Sequence, residues 1–277
     1  MKSRYLVCEG REIHFMEWGG EHRETVIAWH GLARTGRDMD ELATHLSCRY
    51  RVICPDTIGR GLSQWSPHPE REYCLDFYAR LALSLLEQLG IGQCHWVGTS
   101  MGGAIGIRLA AGGLKGRVQR LVLNDMGPKI ADAAVERIKA YAGKPPQFER
   151  LSELEQYFRT VYKPYGWLSD EQWRRLTESS ARRTPEGEIT THHDPSMVLQ
   201  FVHHPRDYDQ WDAWDAITAP TLCLRGETSD LLLPEVTEEM KRRGPNATIA
   251  TIGGCGHAPA LNVPDQLNLV ARFLDGT

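Results

Sequence analysis

Several things are missing from this 277-residue sequence, and each absence closes off a class of function. No stretch approaches the roughly 18 uninterrupted apolar residues that a membrane-spanning helix requires. There is no basic block: 32 Lys and Arg are interleaved with 36 Asp and Glu for a net charge of -4, so neither nucleic acid nor an anionic membrane is expected as a partner. None of the seven cysteines, at positions 8, 48, 54, 74, 94, 223 and 255, is spaced as C-x-x-C, and several fall in strand-like runs where a thiol packs as a small hydrophobe. The opening MKSRYLVCEGREIHF is polar within a few residues and lacks the apolar core of a secretory signal, which points to a reducing, cytoplasmic location. Internal repeats and low-complexity tracts are absent as well. The local clusters His192-His193-Asp194 and His203-His204 match neither an H-x-x-x-H pair nor a Cys/His framework, so they are read as packing or surface groups rather than metal ligands.

What remains is the composition of a globular domain, 41% hydrophobic and 25% charged, long enough to bury a substantial core. Hydrophobic periodicity predicts strands over 5–8, 12–18, 25–31, 50–56, 94–97 and 118–126, with helices from 38, over 75–89 and after Ser100. This alternation is the signature of a parallel sheet wrapped by helices, an α/β architecture. The rhythm breaks after Gly127-Pro128. Residues 129–209 show no convincing buried strand, only helical segments at 131–142, 151–162 and 169–179, with aromatics at Tyr157, Phe158, Tyr162, Tyr165, Trp167 and Trp173. Strand–helix alternation then resumes with 219–227, 234–243, 247–253 and 264–274. The expected organisation is a core built from 1–128 and 210–277, with 129–209 inserted after the sixth strand as an all-helical cap over the sheet's C-terminal edge.

Four signals fall at the C-terminal ends of predicted parallel strands, the edge where such folds bind ligands. Gly98-Thr99-Ser100-Met101-Gly102 is a G-x-S-x-G pattern between a strand and a helix, a context that lifts Ser100 to a helix N-terminus. Trp29-His30-Gly31-Leu32 ends an earlier strand, and its Leu32 N–H, with that of Met101, could supply two donors to an oxyanion. Asp230, in the loop after 219–227, can orient an imidazole; Asp125, in LVLNDMGP, ends another strand on the same edge and is the alternative acid. His257 stands in the glycine-rich loop GGCGHAP. Asp56, in PDTIGRGLS, reads as a turn former through bonds to nearby backbone N–H groups. Cys255 reads as a packed small residue.

The chain order Ser100, Asp230, His257, together with HG, PDTIGRGLS, GTSMGG, RGETSD and GCGHAP, resembles the α/β-hydrolase fold family with a helical cap, over nearly the whole chain. The resemblance implies a mostly parallel central sheet flanked by helices. It implies Ser100 as nucleophile, His257 as general base and then acid, Asp230 as orienting carboxylate, and the Leu32 and Met101 N–H groups as the oxyanion hole. No metal or organic cofactor is required. The implied activity is a serine hydrolase of small or medium carboxylic esters, working through an acyl-enzyme on a small-molecule substrate. Carbon–carbon or lactone hydrolysis, a non-catalytic ligand-binding member of the fold, and a cofactor-free perhydrolase or haloperoxidase are the alternatives.

Overall fold

The computed structural model describes residues 1–277. Two antiparallel strands, β1 (Lys2–Cys8) and β2 (Arg11–Trp18), open the chain, followed by β3 (Thr25–Trp29), helix α1 (Asp40–Leu46) and β4 (Arg51–Pro55). A short helix α2 (Pro69–Glu72) precedes the long α3 (Leu75–Gln88), then β5 (Cys94–Thr99), α4 (Met101–Ala111) and β6 (Val118–Asn124). After an inserted segment the core resumes with α9 (Trp211–Ala216), β10 (Thr221–Gly226), α10 (Pro234–Met240), β11 (Thr248–Ile252) and α11 (Pro264–Asp275). The inserted segment carries α5 (Asp132–Ala142), β7 (Gln147–Phe148), α6 (Leu151–Val161), α7 (Asp170–Ser180), β8 (Ala181–Arg183), β9 (Ile189–Thr191) and α8 (Gln200–His203).

The main sheet has eight strands in the order β1-β2-β4-β3-β5-β6-β10-β11, with β1, β2 and β4 paired antiparallel and all later neighbours parallel. Its central strands are apolar on both faces, as a sheet covered by helices on each side demands. Along β3, Val26 and Ala28 face one hydrophobic cluster with the helices α1 and α11, while Ile27 and Trp29 face the larger cluster under α3 and α4. The same alternation runs through β4, where Val52 and Cys54 oppose Ile53, and through β6, where Val122 opposes Leu121 and Leu123. Trp29 and Trp96, on adjacent strands β3 and β5, stack with ring centroids 5.3 Å apart beneath the site.

The inserted segment departs from the expected all-helical make-up. Helices α5, α6 and α7 fall within a residue of the predicted spans, but α8 was not expected, β7, β9 and β8 form a three-stranded antiparallel sheet, and β9 is buried. Leu154, Phe158, Tyr162, Trp173 and Ile189 give this segment a small core of its own. An isolated antiparallel bridge between Lys129 and Asp209 brings its two ends together.

Candidate active site

Ser100 sits on the turn between β5 and α4 with φ 50° and ψ -117°, a left-handed conformation that a residue with a side chain adopts only under strain. The flanking glycines explain how the turn closes. A Cβ on Gly98 would lie 2.3 Å from the Gly102 backbone, and one on Gly102 would lie 2.3 Å from the Trp29 carbonyl oxygen. The chain thus crosses itself too closely for a side chain at either glycine, and the turn leaves the Ser100 hydroxyl facing the cavity.

That hydroxyl meets a histidine. His257 Nε2 lies 2.9 Å from Ser100 Oγ, and His257 Nδ1 lies 2.7 Å from Asp125 Oδ2. The carboxylate at the histidine is therefore Asp125, at the end of β6, and not Asp230. This corrects the expected pairing. Asp230 is about half exposed and makes a double hydrogen bond at 2.9 and 3.0 Å with Arg137 of α5, on the rim of the cavity. The reason lies in the loop after β10. It turns Ser229, not Asp230, inward, and Ser229 Oγ donates to Asp125 Oδ2 at 2.5 Å while the Gly226 N–H donates to Oδ1 at 2.8 Å. Asp125 is fully buried, itself at φ 53°, and these two donors leave it facing His257 Nδ1, which carries the proton between them.

On the other side of Ser100 the His30-Gly31-Leu32 loop is fixed by buried polar groups. Burial lowers the His30 pKa to about 4, so the ring is neutral. Its Nε2 accepts the Thr57 N–H at 2.9 Å, which leaves the proton on Nδ1 to donate to the Gly31 carbonyl at 2.6 Å. The Arg60 guanidinium, wholly buried, donates to the Leu32 carbonyl at 2.8 Å and to the Ile58 carbonyl at 2.7 Å. Neither the Leu32 nor the Met101 N–H has an acceptor within the protein.

These groups open into a cavity of about 660 Å³, a size that encloses a small molecule. Its floor is Gly31, Leu32, Ser100 and His257 from the core. Its walls include Arg137, Ile138 and Tyr141 of α5 and residues 160–165 from the inserted segment. Arg34 lines it too, its guanidinium 4.8 Å from the centre of the Tyr162 ring and paired with Asp38 at 2.7 Å.

The remaining polar groups have structural partners. Asp56 accepts the Gly36 and Leu62 N–H groups at 2.7 and 2.9 Å, as a turn former does, and also pairs with His14. His192 accepts the Gly61 N–H through Nδ1 at 2.6 Å, and Asp194 accepts the Tyr73 hydroxyl at 2.5 Å, so both tie the inserted segment to the core. Burial raises the Cys255 thiol pKa, which suppresses the thiolate. The expectations named none of Ser229, Arg137, Arg34 and Arg60. Ser229 stands inside RGETSD, but nothing in that stretch shows that it, rather than Asp230, turns toward a carboxylate a hundred residues away.

The sequence matches the model of the alpha/beta hydrolase family over residues 26–268. The chain belongs to that family. It is 38% identical over 272 residues to a 3-hydroxybutyrate-oligomer hydrolase of Cupriavidus necator, a match that covers 95% of this chain and 92% of that one. It is 27% identical to a 2-hydroxy-6-oxononadienedioate/2-hydroxy-6-oxononatrienedioate hydrolase of Burkholderia vietnamiensis, over 98% of this chain and 95% of the other. Among solved structures, an alpha/beta hydrolase from Novosphingobium aromaticivorans superposes with a TM-score of 0.89 at 32% identity, covering 100% of this chain and 98% of its own. The homologues are hydrolases, and the family and the relatives alike mark this chain as one.

Proposed function

We propose that this hydrolase cleaves carboxylic esters through an acyl-enzyme on Ser100, and that short oligoesters of hydroxyacids are its substrate class. The observation that carries the mechanism is the unbroken chain from Ser100 Oγ to His257 Nε2 at 2.9 Å and from His257 Nδ1 to Asp125 Oδ2 at 2.7 Å. The substrate class rests on the 38% identity, over nearly the full length of both chains, to the 3-hydroxybutyrate-oligomer hydrolase.

In this mechanism His257 Nε2 takes the Ser100 proton as Oγ attacks the ester carbonyl, and the negative charge passes to the carbonyl oxygen. The Leu32 and Met101 N–H groups bind that oxyanion, left free because no protein acceptor competes for them. Collapse breaks the bond to the alcohol oxygen, which leaves with the proton from His257. Water then gives a proton to His257 and attacks the acyl-Ser100 carbon, and the second collapse returns the proton to Ser100 Oγ and frees the acid. Asp125 keeps the imidazole in the tautomer that points a lone pair at Ser100, and stabilises the imidazolium between the two transfers. The segment at 129–209 acts as the lid that encloses the substrate, while the seven free thiols suit a reducing, cytoplasmic compartment.

The test is to incubate the pure protein with the linear dimer of 3-hydroxybutyrate and with p-nitrophenyl esters of increasing chain length, beside Ser100→Ala. Hydrolysis that disappears in the variant is the expected result. Absence of turnover on every ester, or turnover that survives Ser100→Ala, refutes the reading.

A further inference from the structure

Four charged side chains line the cavity: Arg34, Arg137, Lys163 and Asp230. Arg34 is taken up by Asp38, outside the cavity, and Arg137 by Asp230 across the rim, while Lys163 is left with no carboxylate partner. The balance of the lining is therefore one uncompensated positive charge, carried on a long flexible stem at an exposed position.

The placement of that charge is not arbitrary with respect to the chemistry. Lys163 opens the tight turn Lys163–Tyr165, and this turn is bonded to the loop that carries His257. The Gly256 N–H donates to the Pro164 carbonyl at 2.7 Å, and the Ala260 N–H donates to the Tyr165 carbonyl at 3.2 Å. Arg137 comes to the same side, because its partner Asp230 follows β10, which pairs directly with β11, the strand before His257. In ester cleavage the alcohol oxygen must face the histidine that protonates it, so the alcohol portion of the ester lies along this cationic side. The acyl portion, bonded to Ser100, extends the other way.

We propose that Lys163, with Arg137 in the lining of the same cavity, binds a carboxylate on the alcohol portion of the substrate, so that the site selects esters whose leaving group is itself a hydroxyacid. This rests on the ester-hydrolase reading above and sharpens it. The hydrolase would remove the hydroxyacid unit at the carboxyl end of an oligoester, because only there does the leaving alcohol bear a free carboxylate. Interior units would present an uncharged ester at the same place. Arg137 exchanges its Asp230 oxygen for the substrate carboxylate, which costs little because that pair is half exposed.

The experiment compares kcat/KM for the linear 3-hydroxybutyrate dimer with that for its terminal carboxamide, which keeps the scissile ester and the shape but not the charge. The native protein is expected to prefer the carboxylate by roughly three- to tenfold at low salt, with the preference shrinking as salt rises. Lys163→Met should cut the ratio by about half or more and the Lys163→Met, Arg137→Met double variant should bring it to near one, Lys163→Arg should retain it, and Asp230→Asn, by releasing Arg137, should raise it. A native ratio of one or below, or a ratio that Lys163→Met leaves unchanged, overturns the proposal. Failure of the ester-hydrolase reading is separate and shows as no turnover of either compound.

Discussion

At Asp125 the chain turns through φ 53° at the end of β6 and buries a carboxylate completely. Such a group is tolerable only with its oxygens satisfied, and the Gly226 N–H, the Ser229 hydroxyl and His257 Nδ1 do this between them. If the triad works as proposed, Asp125→Asn lowers kcat on a neutral ester such as p-nitrophenyl butyrate by about 10³- to 10⁴-fold, since an amide at this position favours the wrong tautomer of His257. Asp230→Asn costs less than about tenfold in the same assay, because its contacts are with solvent and Arg137; the reverse ranking would return the role to Asp230. Ser229→Ala removes one donor to the carboxylate, so kcat should fall roughly tenfold with KM little changed. Ser100 and His257 were legible in the sequence because glycines and strand endings mark them locally. The choice between Asp125 and Asp230 was not, since both end parallel strands on one edge. What decides is which side chain of the 227–230 loop turns inward, and neighbouring residues do not encode that.

The elements around the site differ in how openly the sequence announces them. The strand–turn–helix elbow is written in Gly98 and Gly102, where backbone approaches to 2.3 Å of a notional Cβ leave no room for alanine. Gly102→Ala is therefore expected to destabilise the protein by about 3 kcal/mol and to displace Ser100, with urea unfolding and ester turnover as the readouts. Gly92→Ala, where a Cβ meets nothing within 4 Å, should change stability by less than about 0.5 kcal/mol. Equal effects at the two positions would contradict the packing argument. In the inserted segment the helices were legible by their period, whereas β7 with two residues and β8 and β9 with three are too short for alternation to register. They form because the antiparallel register between Gln147–Phe148, Ile189–Thr191 and Ala181–Arg183 satisfies backbone groups beside the small aromatic core around Phe158 and Trp173.

Across the whole molecule, the core and the inserted segment share buried histidines that ought to make stability depend on acidity. Burial pulls His30 and His193 down from the ordinary 6.5 to about 4, and pulls His192 down as well. The unfolded chain binds protons at these positions as the pH falls below about 6.5, while the folded chain does not until about 4. Their contribution is thus fully present above about pH 6.5 and is lost as the pH falls through that window, on the order of 3 kcal/mol for each of His30 and His193. Urea denaturation at about pH 7.5 and about pH 4.5 should show a loss of several kcal/mol, smaller in His193→Gln; a constant stability across the window would contradict the burial argument. The cavity is built from both parts: the core supplies Ser100, His257 and Leu32, with Asp125 behind His257, and the segment supplies walls at residues 137–141 and 160–165. The most direct test of that account is the rate at which a fluorophosphonate labels the protein, followed by intact mass and peptide mapping. A single adduct on Ser100 is expected, formed about 10³-fold or more slowly in Asp125→Asn and at nearly the native rate in Asp230→Asn. An adduct elsewhere, or equal labelling of the native and Asp125→Asn proteins, would contradict it.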